Sequence, residues 1–174
     1  MENTVRGKEA TVEFLGLPYV ASYPELIPRK SSETVVTAAL DLVERIRREG
    51  QDGSSAAKSN SVRVLDLGTG CGCLLLSLLC RCSPGMKVSG VGVDLSEAAL
   101  QFATRNTQAR VADGSIDASQ VGLVRADFSQ LDQADVRQGL LAEAPFDIII
   151  SNPPFLAESR AKGRITHEGK KALV

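Results

Sequence analysis

From residue 62 onward, short apolar runs alternate with stretches whose apolar positions recur every three or four residues. Residues 62–67, 87–93, 121–125 and 146–151 are brief and rich in Val, Ile and Leu, which predicts strands. Between them, 72–82 and 96–110 predict helices, and 130–142 a weaker third. Asp94 and Glu97 have the spacing of a capping box for the 96–110 helix. The strands are close to continuously apolar, as strands covered on both faces must be. Strand then helix, repeated, therefore predicts an α/β fold, doubly wound around a mainly parallel sheet.

The first part of the chain reads differently. Residues 14–30 hold Phe14, Tyr19 and Tyr23 among Pro18, Pro24 and Pro28, which suits an extended, turn-rich arm or lid better than a helix. Ser31 or Ser32 can then cap a helix with apolar positions at Val35, Val36, Ala39, Leu40, Val43 and Ile46, ending near Gly50. Residues 51–61 are rich in Ser, Ala and Asn without periodicity and read as a flexible loop. The expected organisation is an arm and amphipathic helix at 1–50, the loop at 51–61, and the main domain at 62–174. Residues 112–120 form a second polar loop, and the mildly basic tail at 156–171 reads as solvated.

Composition narrows the functions. The 174 residues suit one domain, and 43% hydrophobic against 24% charged residues is ordinary globular usage. The longest apolar run, 74–80, is interrupted by Ser77 and far too short to span a bilayer. A net charge of −1 supplies no global positive field, which argues against direct nucleic-acid binding. The first ten residues form neither a secretory signal nor an organelle presequence, so a cytoplasmic location is expected, or a mitochondrial one if the chain is part of a longer eukaryotic protein. Cys71, Cys73, Cys80 and Cys82 form two Cys-x-Cys pairs, tighter than the usual spacing of metal ligands, and read as free thiols with no metal. His167, in a polar stretch, reads as solvated.

The candidate chemistry gathers at the strand ends. Asp66-Leu67-Gly68-Thr69-Gly70-Cys71-Gly72 closes one strand and opens a helix, where glycines permit a sharp turn and close ligand approach beside free helix N–H groups. A dinucleotide turn would want glycine at position 73, which is Cys73. Asp94, at the next strand end, can accept both hydroxyls of a ribose. Asp127 and Phe128, at the third, can take an adenine amine and lie against its ring. The fourth strand runs into Asn152-Pro153-Pro154-Phe155. There the Asn152 side chain and the Pro153 carbonyl can receive both N–H bonds of a planar NH2 group, with Phe155 stacked on it. Each residue also has a plain structural role available, in capping, core or turn. Ligands of open α/β sheets nevertheless bind at the carboxyl ends of strands.

These motifs resemble class I S-adenosylmethionine-dependent methyltransferases that modify an amide or exocyclic nitrogen. Within them, Leu17-Pro18 through Leu26-Ile27-Pro28-Arg29 to Glu33 resembles the arm of the HemK/PrmC family of peptide-chain release factor glutamine methyltransferases. The resemblance implies that Gly68 to Gly72, with Asp66, hold the methionine part of S-adenosylmethionine, Asp94 its ribose, and Asp127 and Phe128 its adenine. It further implies that Asn152, Pro153, Pro154 and Phe155 hold the side-chain amide of the glutamine in a release factor's Gly-Gly-Gln loop, with S-adenosylhomocysteine as product. The chain departs from the family pattern at Lys30-Ser31, where Pro-Asp or Pro-Glu is usual. It departs again at Phe155 for Tyr and at Glu168-Gly169 for Glu-Pro. The class normally has seven strands and the pattern here predicts four, so the sheet is expected to be incomplete at its C-terminal side. Two alternatives stay open: an RNA or DNA amino-methyltransferase, and an inactive cofactor-binding fragment.

Overall fold

The computed structural model describes residues 8–23, 26–51, 61–83, 86–127 and 145–152. The elements in chain order are β1 (Lys8–Phe14), β2 (Leu17–Tyr23), α1 (Glu33–Gln51), β3 (Ser61–Leu67), α2 (Cys73–Arg81), β4 (Lys87–Asp94), α3 (Glu97–Ala112), β5 (Val121–Arg125) and β6 (Ile148–Ser151). The predicted helix at 130–142, the tail, and most of the 51–61 loop lie outside the described residues.

Strands β3 to β6 form one parallel sheet in the spatial order β5-β4-β3-β6. The chain thus enters at β3, moves outward through β4 and β5, and returns to the other flank of β3. That reversal opens a crevice at the carboxyl ends of β3 and β6, the usual ligand position in open α/β sheets. Register aligns the ends: Leu67 pairs with Val93 on one side and Ser151 on the other, and Asp94 pairs with Arg125.

The arm is a hairpin. β1 and β2 pair antiparallel across Leu15 and Gly16, both at positive φ (50° and 71°), the combination that matches the twist of a two-residue hairpin. Arg81, at the end of α2, donates to the Leu15 carbonyl. Phe14, Tyr19 and Ala21 are buried with Val36, Ala39 and Val43 of α1, with α2, and with Ile148 and Ile150 in one cluster. Hairpin, α1 and sheet therefore share a core. Leu65, Val91, Val93 and Ala126 form a smaller cluster on the opposite sheet face, as strand alternation requires.

α2 is apolar on every side and buried from Cys73 through Leu79. It lies so close to β4 that a Cβ at Gly90 would come within 2.4 Å of Leu75 Cδ1. The expected capping box is not formed. β4 continues through Asp94, so α3 starts at Glu97 and Ser96 is its cap, with Oγ accepting the Ala99 N–H at 3.3 Å. Among the described residues no helix is long and apolar enough to cross a membrane.

Candidate functional site

Between β3 and α2 the chain reverses in a few residues because Gly68, Gly70 and Gly72 take φ of 73°, 58° and 82°. Side chains rarely adopt that region, so alternate glycines are the local requirement. The turn is closed by its own hydrogen bonds. Gly68 and Thr69 donate to the Val93 carbonyl at 2.8 and 2.9 Å, and Gly72 to the Thr69 carbonyl at 2.9 Å. Gly70 donates to Asp94 Oδ2 at 2.9 Å. The N–H groups expected to be free for a ligand are spent at these four residues. The turn keeps carbonyl oxygens and close backbone approach, which suit an ammonium group better than an anion.

Asp66 lies beneath the turn, buried, with Oδ2 accepting the Thr69 hydroxyl at 2.7 Å and Oδ1 without a hydrogen-bond partner among the described residues. Burial pushes its carboxyl up to about 7, against the pull of the Thr69 hydroxyl. Thr69 packs on β4 where Gly92 leaves room: a Cβ there would lie 2.8 Å from Thr69 Oγ1.

Asp94 is half-buried at the end of β4. Its Oδ2 takes the Gly70 N–H and its Oδ1 the Ser96 N–H, each at 2.9 Å. Each oxygen keeps a lone pair for a further donor. Beside it Leu95 is 58% exposed, an apolar surface next to a carboxylate that composition and periodicity did not single out. Asp127 follows the end of β5 and is half-buried.

Asn152 follows Ser151, the residue paired with Leu67, so Asn152 and Gly68 leave neighbouring strands side by side. Ser151 Oγ donates to the Leu67 carbonyl at 2.8 Å, and Asn152 Nδ2 donates to the buried Ser32 Oγ. The arm reaches the same place: a Cβ on Gly70 would lie 3.8 Å from Leu26 Cδ2. The structure thus gathers Asp66, Gly68, Thr69, Gly70, Cys71, Gly72, Asp94 and Asn152 at the carboxyl end of the sheet. Phe128, Pro153, Pro154 and Phe155 lie outside the described residues.

Two residues escaped sequence reasoning. Asn106 is buried in α3; its Oδ1 accepts the Val20 N–H at 2.8 Å, and Nδ2 donates to the carbonyls of Val20 and Cys71 at 2.9 and 2.8 Å. Its signal was an Asn on the same helical face as the buried Ala99, Ala103 and Arg110. Ser32 is the other, legible only as a cap. The four cysteines are free thiols; the hydrogen bond to Cys71, with burial, holds Cys73 well above the ordinary thiol value.

The family model described as Methyltransferase small domain matches residues 54–173. The release factor glutamine methyltransferase of Bradyrhizobium diazoefficiens is 38% identical over 146 residues, 84% of this chain and 40% of its own. That of Chlorobaculum tepidum is 34% identical over 146 residues, 84% of this chain and 42% of its own. The chain spans about two fifths of the length of these curated relatives. Among solved structures, the human methyltransferase 10 domain containing protein is a partial likeness, with a TM-score of 0.48 and 18% identity over 74% of this chain and 52% of its own.

Proposed function

The chain belongs to the methyltransferase small domain family, and from that membership we propose that it transfers a methyl group from S-adenosylmethionine to the side-chain amide nitrogen of a protein glutamine. The target we propose is the glutamine of the Gly-Gly-Gln loop in a peptide-chain release factor, in the cytoplasm. One observation carries the reading: Asn152 emerges beside the glycine turn, directly after the strand paired with β3. An amide-binding group and a cofactor turn are thereby neighbours.

The residues fit the cofactor. Three positive-φ glycines make a cradle that side chains would fill, and Asp94 keeps a lone pair on each oxygen after its two backbone bonds. When bound, the cofactor supplies an electrophilic methyl group and leaves as S-adenosylhomocysteine. Asp94 would accept the ribose hydroxyls, the turn carbonyls would face the methionine ammonium, and Leu95 with Asp127 and Phe128 would border the adenine.

An amide nitrogen is a weak nucleophile, so orientation and removal of water carry the catalysis. Asn152 Oδ1 and the Pro153 carbonyl would draw both N–H bonds of the substrate amide toward themselves, adding electron density to the nitrogen and turning it toward the methyl. Pro154 has no N–H to compete for that carbonyl. Phe155 would stack on the amide plane. The methyl group would leave sulfur as the nitrogen–carbon bond forms, and the proton the nitrogen sheds would go to bulk solvent, so no protein base is invoked.

The test is incubation of the folded chain with S-adenosylmethionine and a bacterial release factor, with methylation mapped by mass spectrometry. One methyl group on the Gly-Gly-Gln glutamine is expected, and none when that glutamine is replaced by alanine. Methylation of an RNA or DNA amine instead would overturn the reading, as would a chain that binds the cofactor and methylates neither.

A further inference from the structure

We infer that Ser32 is a positioning residue: its buried hydroxyl accepts from Asn152 Nδ2 and so holds the carboxamide in place, with Oδ1 left to face a substrate amide. The inference deepens the reading of Asn152 given above and rests on it.

An asparagine carboxamide carries an acceptor on one side and two donors on the other. Its last torsion is broad and close to two-fold, so a free side chain exchanges the two at little cost. Only one orientation serves a substrate NH2 group, because in the other a donor meets a donor. Asn152 Nδ2 donates to Ser32 Oγ across 120 residues of sequence. Ser32 is 2% exposed, so the acceptor end of that bond is shielded from water. Asn152 Oδ1 has no hydrogen-bond partner among the described residues.

Both ends of the contact are held by other structure. Ser32 N–H donates to the Arg29 carbonyl at 2.9 Å in the short turn that leads into α1, and α1 is anchored by Val36, Ala39 and Val43. Asn152 is held through the pairing of Ser151 with Leu67 and the Ser151 hydroxyl bond to the same residue. The contact thus forms without ordering anything that folding has not already ordered. It also makes the segment after the arm part of the site, an arrangement in which a serine before a helix holds a group at a strand end.

The test compares Ser32→Ala, which removes the hydroxyl, with Ser32→Thr, which keeps it, and reads two quantities. The first needs no turnover: the Asn152 side-chain amide protons are followed by NMR in the full chain, assigned by their loss in Asn152→Ala. Slow solvent exchange of an Asn152 Hδ2 proton is expected in the wild-type chain and in Ser32→Thr, and fast exchange in Ser32→Ala. Fast exchange in the wild-type chain, or no change in Ser32→Ala, would overturn the inference even if the chain proved to methylate nothing.

The second is methylation of the release factor. Ser32→Ala should lower kcat by about 10- to 100-fold while cofactor affinity, measured by calorimetry, stays unchanged. Ser32→Thr should restore most of it. Equal losses in both variants would mean that the serine serves only packing, and the inference would fail. A wild-type chain that shows the protected amide proton but no glutamine methylation would leave Ser32 as the group that orients Asn152 and refute the glutamine reading alone.

Discussion

The side-chain amide of Asn106 donates to the Cys71 carbonyl at 2.8 Å and holds both backbone groups of Val20, so one buried residue joins the hairpin to the glycine turn. Asn106→Ala would strand three backbone groups in a buried place, at a cost of about 2–4 kcal/mol. A urea titration should show the lower midpoint with an unchanged slope. Cofactor affinity should fall with it, and further than in Tyr19→Phe, which loses the 2.7 Å bond to Ser77 in α2 and no hydrogen bond to the turn. Equal affinity losses in the two variants would deny Asn106 a role in shaping the turn.

Gly90 and Gly122 make a matched pair on neighbouring strands. A Cβ at Gly90 would stand 2.4 Å from Leu75 Cδ1 and 3.1 Å from the Val64 carbonyl, whereas one at Gly122 would meet Val91 Cγ2 at an ordinary 3.4 Å. Gly90→Ala should therefore destabilise by about 1–3 kcal/mol, because the buried Leu75 side chain must be displaced within a packed core. Gly122→Ala should stay within about 0.5 kcal/mol of wild type. Thermal unfolding of the two variants side by side measures the difference.

Asp94 serves the turn as well as the proposed ribose. Asp94→Ala removes the acceptor for the Gly70 and Ser96 N–H groups and the two lone pairs left for a ligand. Bonds to a carboxylate are worth about 1.5–3 kcal/mol each, so S-adenosylmethionine affinity should drop by at least about 100-fold. Calorimetric titration gives the answer. Affinity within a few-fold of wild type would remove Asp94 from the cofactor site.

Asp66 makes stability depend on pH in an uncommon direction. Its carboxyl is pushed up to about 7 by burial, above the roughly 3.9 of an unfolded chain. Between those values the folded state holds a proton that the unfolded state has lost. The contribution is therefore fully present below about pH 4 and is lost as pH rises through about 7. Asp66→Asn keeps the shape and cannot ionise. It should flatten the fall in stability between pH 4 and 7 and gain up to about 4 kcal/mol relative to wild type above pH 8. Denaturant midpoints at several pH values would show it; parallel profiles for the two proteins would refute it.

Strands and helices of the main sheet were legible because their signals are local. A short Val- and Ile-rich run reads as a strand whatever it pairs with, and the ends predicted for β3, β4 and β5 fall within a residue of those observed. The glycine turn was legible for the same reason: Gly68, Gly70 and Gly72 are needed by their own backbone angles, before any neighbour is considered. The prolines make the arm legible as extended, but not its pairing as a hairpin, since the turn places Leu15, a residue without turn character, at positive φ.

Residue pattern along the chain was therefore enough for the α/β class, the turn, and the places of Asp66, Asp94 and Asn152 at or beside strand ends. The strand order, the state of each donor in the turn, and the partners of Asp66 depended on packing. So did the contacts of Asn106 with Cys71 and of Ser32 with Asn152, which span 35 and 120 residues of sequence. A backbone angle or an apolar period belongs to a few consecutive residues and is written in their identities. A hydrogen bond between distant side chains exists only after the core has brought their elements together, and a lone Asn in a helix or Ser before one carries no mark of the partner it will meet.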